Sequence, residues 1–253
     1  MCFEFDARPP DLPADLALPP VAGGAAAETL ELTSADGTRF SAALAVSPDP
    51  HDPAVVVLPD VRGLYRFYVE LGERFAQAGH SAIAIDYFGR SAGLGTRDED
   101  FDYMAHVAQT SLEGVQADTA AAIDALRERT GAKSFVTVGF CFGGTHSFLA
   151  ATNPDLPLDG VVGFYGSLTE RPTRPSPIPG AEDTRVPVLG LFGGADENIP
   201  QEQIDEYARG LAAAGVEHEL ISYPGAPHSF FDRSFDQYAE ACEDAWRRVL
   251  AFL

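Results

Sequence analysis

Short runs of alternating or continuous apolar positions, separated by stretches of helical spacing, set the pattern of this chain. Thr29 to Ser34 and Phe40 to Ser47 flank Ala35-Asp36-Gly37-Thr38, and alternation broken by an Asp-Gly pair predicts a β-hairpin. Ala54–Leu58 (AVVVL) and Ser81–Asp86 (SAIAID) are nearly apolar throughout, as strands covered on both faces are. Between them, Tyr65 to Ala78 has helical spacing and stops at Gly79. Residues 87–100 read as a Gly-rich, mixed-charge loop. Ser111 to Thr130 predicts a long amphipathic helix with Val115, Thr119, Ala122, Ile123 and Leu126 on one side, ended by Gly131. A strand from Phe135, a helix over Thr145–Thr152 and a strand over Leu158–Tyr165 follow. Val186–Phe192 predicts a strand, Pro200–Ala214 a helix, His218–Tyr223 the last strand and Asp236–Phe252 a closing helix with Trp246 and Leu250 inward. Ser167 to Thr184 carries Pro172, Pro175, Pro177 and Pro179, a density that excludes a helix or a central strand. It reads as a loop, either at the rim of a site or as a plain surface connection. Strands alternating with helices predict an α/β fold with a mostly parallel central sheet and helices on both faces. Residues 1–27, rich in Pro, Ala and Asp, read as an irregular lead-in, and 28–253 as a single domain.

The length of 253 residues lies within the range of one α/β domain, and 45% apolar with 22% charged residues is ordinary for a globular chain. The formal net charge of -21 changes the picture more. Such a chain repels nucleic acid and anionic membranes, so neither is expected as a partner, and an anionic small molecule would need local arginines. Three widely spaced cysteines, Cys2, Cys141 and Cys242, argue against a disulfide framework, and no Cys/His cluster suggests a metal. No metal and no other cofactor is expected. The N-terminus lacks a basic region followed by an apolar run, and no run approaches 18 apolar residues, so a cytoplasmic location is expected. The oligomeric state is not legible.

The chemistry concentrates in Val136 to Ser147, VTVGFCFGGTHS. A β-rich run meets Gly139-Phe140-Cys141-Phe142-Gly143, the G-x-nucleophile-x-G elbow of a strand turning sharply into a helix, with cysteine where serine is usual. Side chains two positions either side of the nucleophile would strike the neighbouring strand or helix, which explains the glycines. The turn presents the sulfur at the tip of the sheet near a helix N-terminus, whose partial positive charge suits an anion. A buried, inert cysteine is the alternative. In open parallel sheets, sites lie beyond the carboxyl ends of the strands. There the sequence puts Asp60 with Arg62, then Cys141, Asp196 and His228. The order nucleophile, acid, histidine is that of the α/β-hydrolases. His228 would act as general base and acid, and Asp196 would orient it. The backbone N–H groups of Val61 and Phe142 would form an oxyanion hole.

The stretches VVVLPDVRGL, AIAIDYFGR, VTVGFCFGGTHSFLA, VVGFYGSL, LFGGADENIP and YPGAPHSFFDR together resemble the dienelactone hydrolase (carboxymethylenebutenolidase-like) family of α/β-hydrolases, over about Thr29 to Leu253. The resemblance implies hydrolysis of enol-lactones and related esters through a Cys-Asp-His triad, here Cys141, Asp196 and His228, with a small-molecule substrate. It also implies an acidic residue that engages the resting thiol, matched by Asp60, one methylene shorter than the glutamate of the family. The family binds a substrate carboxylate with arginines. Arg90 matches one, Arg233 lies one residue from the other, and Arg62 replaces an apolar family residue where it could supply a cation. These departures leave hydrolysis of lactones or activated esters as the expectation. General carboxylesterase or thioesterase activity, and a non-catalytic binding protein on the same scaffold, are the alternatives.

Overall fold

The computed structural model describes residues 6–16, 26–95, 97–232 and 236–253. Eight strands form one sheet. They are β1 (Glu28–Thr33), β2 (Arg39–Ala45), β3 (Ala54–Leu58), β4 (Ala82–Ile85), β5 (Phe135–Phe140), β6 (Gly160–Phe164), β7 (Val188–Gly193) and β8 (His218–Tyr223), in the spatial order β1-β2-β4-β3-β5-β6-β7-β8. β2 runs antiparallel to both β1 and β4, and every pairing from β4 across to β8 is parallel. The expected hairpin is therefore the edge of a mostly parallel sheet.

The helices are α1 (Arg66–Gln77), α2 (Gly89–Ala92), α3 (Tyr103–Val107), α4 (Leu112–Thr130), α5 (Phe142–Ala150), α6 (Gln201–Ala214) and α7 (Ala239–Phe252). Central strands β3, β4, β5, β6 and β7 are buried along their whole length, which is why they read as unbroken apolar runs. Rings tie the layers together. Phe75 of α1 meets Trp246 of α7 edge-on (5.2 Å), and Phe148 of α5 packs on Tyr207 of α6 (5.3 Å). α4 starts at Ser111, whose hydroxyl accepts from the Gly114 N–H, and ends at Gly131 in the left-handed region. Val115, Thr119, Ala122, Ile123 and Leu126 are all buried.

Two expectations are corrected. Residues 87–100 hold a short helix, α2, and another, α3, follows the loop. The helix after the elbow begins at Phe142, three residues earlier than its sequence suggests, because Gly143 and Gly144 lie inside its first turn. Glycine disfavours helix locally, but here the absent Cβ is what lets the backbones approach, and packing wins. Of the lead-in, residues 6–16 lie against α1 and α7. Ala7 is buried, the Trp246 Nε1–H donates to the Pro10 carbonyl (3.2 Å), and Arg247 pairs with Asp15.

Candidate active site

β3 leads rightward in the sheet to β5 and leftward to β4, so the strand order switches direction at β3/β5, where open α/β sheets place their sites. Cys141 follows β5 directly. Its backbone sits at φ 52°, ψ -107°, a conformation that costs a non-glycine residue of order 1–3 kcal/mol. The elbow is held from several sides. The Cys141 N–H donates to the Phe164 carbonyl (2.9 Å), and the Gly143 N–H to the Pro59 carbonyl (3.0 Å). The Tyr87 hydroxyl donates to the same Pro59 carbonyl (2.9 Å), locking the loop after β3 onto the elbow. Phe142, the first residue of α5, has no carbonyl one turn back to bind.

Asp196 follows β7 and His228 follows β8. His228 Nδ1 lies 2.5 Å from Asp196 Oδ2. The other carboxylate oxygen, Oδ1, accepts from the Asn198 N–H (3.0 Å) and from Asn198 Nδ2 (3.2 Å), so the carboxyl is held at both ends. Burial pushes the Asp196 carboxyl up, but the His228 and Asn198 bonds outweigh it and leave its pKa lowered. Tyr165, itself at φ 38°, stacks obliquely on the imidazole at 4.9 Å. Cys141, His228, Phe142 and Val61 all line one cavity of about 510 Å³. Asn198 and Ile199 line it from the β7 side, and Met104 and Val107 of α3 from the mouth.

Asp60 and Arg62 form a buried pair. The Arg62 N–H donates to Asp60 Oδ1 (2.9 Å) and Arg62 Nη2 to Oδ2 (2.7 Å), while the guanidinium covers the Tyr65 ring at 4.5 Å. Neither residue lines the cavity. Val61 sits inside this clasp, which fixes the course of the loop carrying its N–H. Arg90 also lies away from the cavity wall, bonded to Asp36 (2.9 Å) and Asp118 (2.6 Å). Arg233 lies outside the described residues. The cations that line the cavity are Arg171 and Arg174, on the Pro-rich loop. Sequence reading missed them because an irregular segment has no periodicity to aim its side chains. It also missed Asn198, for which the turn-forming Asp-Glu-Asn run was an available signal.

Cys242 is the contrast to Cys141. It is buried in α7, its thiol donates to the Phe230 carbonyl (3.2 Å), and burial pushes its pKa up to about 12. Among the described residues, no group of three or more His, Cys, Asp or Glu side chains gathers where a metal ion could be held, and no helix is long and apolar enough to cross a membrane.

His146, one turn into α5, lies against Phe142 (4.4 Å) and Tyr87 (6.4 Å) with neither ring nitrogen partnered. Burial, reinforced by the nearby Arg174 charge, pulls its pKa from 6.5 to about 3. Below pH 6.5 the unfolded chain takes up a proton that the folded chain refuses, so stability falls as pH drops from about 6.5 toward 3. His146→Phe is expected to remove this acid penalty. Relative to wild type, it should gain about 2 kcal/mol between pH 7.5 and pH 5 in urea unfolding. An offset equal at both pH values would show that the imidazole titrates alike in both states.

The comparisons with known proteins agree with this geometry. The family model described as the dienelactone hydrolase family matches residues 40–253. A provisionally named carboxymethylenebutenolidase of Yersinia pestis is 32% identical over 218 residues, covering 80% of this chain and 79% of that protein. A crystal structure described as a provisional dienelactone hydrolase of Klebsiella pneumoniae subsp. pneumoniae superposes with a TM-score of 0.74 at 31% identity, over 89% of this chain and 98% of that one. A puromycin-hydrolyzing peptidase of Mycobacterium tuberculosis shares the fold alone, with a TM-score of 0.72 at 20% identity, over 93% of this chain and 40% of that one. With its eight-stranded, mostly parallel sheet and a family match spanning most of its length, the chain has the α/β-hydrolase fold and belongs to the dienelactone hydrolase family.

Proposed function

We propose that this protein hydrolyses lactones or activated esters of small molecules by covalent catalysis at Cys141. The observation that carries the reading is the 2.5 Å contact between His228 Nδ1 and Asp196 Oδ2, with the imidazole and the Cys141 sulfur lining one cavity. In this reading Cys141 Sγ attacks the acyl carbon while His228 takes the thiol proton at Nε2. Asp196, bound at Nδ1, holds the tautomer and stabilises the imidazolium. Negative charge grows on the carbonyl oxygen, facing the N–H groups of Val61 and Phe142. The intermediate collapses with cleavage of the acyl C–O bond, and His228 returns the proton to the leaving oxygen. Water, deprotonated by His228, then attacks the thioester, and the sulfur departs with its electron pair and is reprotonated.

The sulfur selects the substrate. A thiolate is a good leaving group, so an ordinary alkoxide competes poorly with it in the collapse step. A resonance-stabilised enolate or phenolate competes well. Lactones with an enol leaving group, and other activated esters, therefore suit this nucleophile. Asp60, clasped by Arg62, serves here by shaping the oxyanion loop.

Intact-mass measurement after an acid quench tests the reading. With an activated aryl ester, wild type is expected to gain one acyl mass, located on the peptide that holds Cys141. Cys141→Ala is expected to gain none. No adduct on wild type, or an adduct on Cys242 instead, would leave a non-catalytic binding protein as the better account.

A further inference from the structure

The chain carries 38 acidic residues against 17 Lys and Arg, so almost any cation can find a carboxylate. Buried arginines follow that rule. Arg62 pairs with Asp60 and Arg97 with Asp86. Arg174 does not. It is 8% exposed and lines the cavity that holds Cys141 and His228. Its guanidinium bonds only a backbone carbonyl, that of Thr169 (3.1 Å), and among the described residues it meets no carboxylate. A buried, unneutralised guanidinium is costly, since removal from water is repaid only by an opposite charge or a full set of acceptors.

The loop compounds the cost. Arg171 and Arg174 exchange both backbone bonds, Arg171 N–H to Arg174 O (3.0 Å) and Arg174 N–H to Arg171 O (3.1 Å). This tight turn through Pro172-Thr173 puts two like charges on directly opposed residues, an arrangement that is destabilising by itself. The turn is not slack. The Ser176 hydroxyl donates to the Leu168 carbonyl (2.6 Å) and accepts from the Ile178 N–H (3.1 Å), pinning the loop beyond it. Burial, partly countered by the neighbouring Cys141, lowers the Arg174 pKa to about 10, which leaves it charged at neutral pH. Two cations are thus held at one wall of the cavity with no anion of the protein to meet them, in a chain whose overall field repels anions.

We propose that Arg174, with Arg171 at the rim, is the binding site for a carboxylate or similar oxyanion carried by the substrate. The site lies on the Pro-rich loop between β6 and β7, apart from Arg90, whose guanidinium is already committed to Asp36 and Asp118. The proposal rests on the reading of the Cys141 cavity as the place of ester cleavage. Arg174 supplies planar paired donors that match a carboxylate edge. The apolar wall from Met104 and Val107 takes the rest of the acyl chain.

The test compares two p-nitrophenyl esters of nearly equal length, the hemiglutarate and the valerate, on the whole protein. Wild type is expected to favour the anionic ester by about tenfold or more in kcat/KM. Arg174→Gln is expected to reduce that ratio to near one, chiefly through KM of the hemiglutarate, and Arg174→Lys to keep part of it. Because the readout is a ratio on each preparation, a shared loss of folded protein cancels. Should Arg174→Gln fail to fold, Arg171→Gln is expected to lower the ratio by a few-fold. Free glutarate should compete with the valerate ester in wild type more tightly than in either variant. A wild-type ratio near one, or a ratio that both glutamine variants leave intact, overturns the proposal. If neither ester acylates Cys141, it is the catalytic reading that fails. If both acylate it equally well, only the anion site fails.

Discussion

Cys141→Ala is expected to lower kcat/KM on an activated lactone by about 10⁴-fold or more, with binding of the intact substrate little changed. The expected size follows from the way covalent machinery acts as a unit, so that removing the nucleophile strands His228 and Asp196 with nothing to activate. What survives is the polarisation of the carbonyl by the N–H groups of Val61 and Phe142, and the proximity the cavity provides. The readout is pre-steady-state release of a chromogenic leaving group. Wild type should show a burst, and Cys141→Ala should show none. A burst that survives the substitution would remove Cys141 from the reaction. Cys141→Ser is the sharper variant. It keeps a nucleophile in the same strained geometry, at φ 52°, but exchanges a soft, easily expelled sulfur for an oxygen that needs full proton removal in a site built for a thiol. Poor turnover of activated lactones by the serine variant is expected, and wild-type rates would mean that the sulfur is incidental.

Gly143→Ala is expected to cost about 3 kcal/mol or more of folding stability, a large share of the roughly 5–15 kcal/mol typical of a domain. A Cβ at this position would fall within contact distance of the carbonyl oxygens of Leu58 and Pro59. Both are backbone atoms, and Leu58 is the last residue of β3, bonded into the parallel pairing with β5. Neither can yield without opening the sheet. Gly139→Ala meets the same obstacle from the other side, at the Gly143 carbonyl. Gly180→Ala is the control, since its nearest new neighbours are 3.9 Å away. Urea midpoints separate the cases. The elbow variants should unfold at much lower denaturant, or fail to accumulate as folded protein, while Gly180→Ala stays close to wild type. A Gly143→Ala protein of unchanged midpoint would mean that the elbow has slack.

The parts of this molecule that were legible in the sequence are those governed by local rules. β3 and β4 announce themselves as short apolar runs because both faces of the sheet are covered, and α4 because its buried residues recur at helical spacing between Ser111 and Gly131. Cys141, Asp196 and His228 could be singled out because each directly follows a strand, and strand ends are where parallel sheets collect their chemistry. Charge was legible only as residue type, never as partnership. Arg62 binds a carboxylate two positions back along the chain, and Arg90 binds two that lie 54 and 28 positions away. No pattern of spacing distinguishes such committed cations from Arg174, which faces the cavity. The start of α5 was misplaced for a related reason, because the reward for glycine there comes from strands remote in sequence.

The seating of the lead-in on α7 gives the molecule a built-in optical reporter. Trp246 is the only tryptophan of the chain, packed between Phe75 and Phe231, with its indole N–H spent on the Pro10 carbonyl. Its emission therefore registers whether residues 6–16 are docked. Lifting that segment would wet the indole and shift the spectrum to the red, while acylation at the far end of β5 would pass almost unseen.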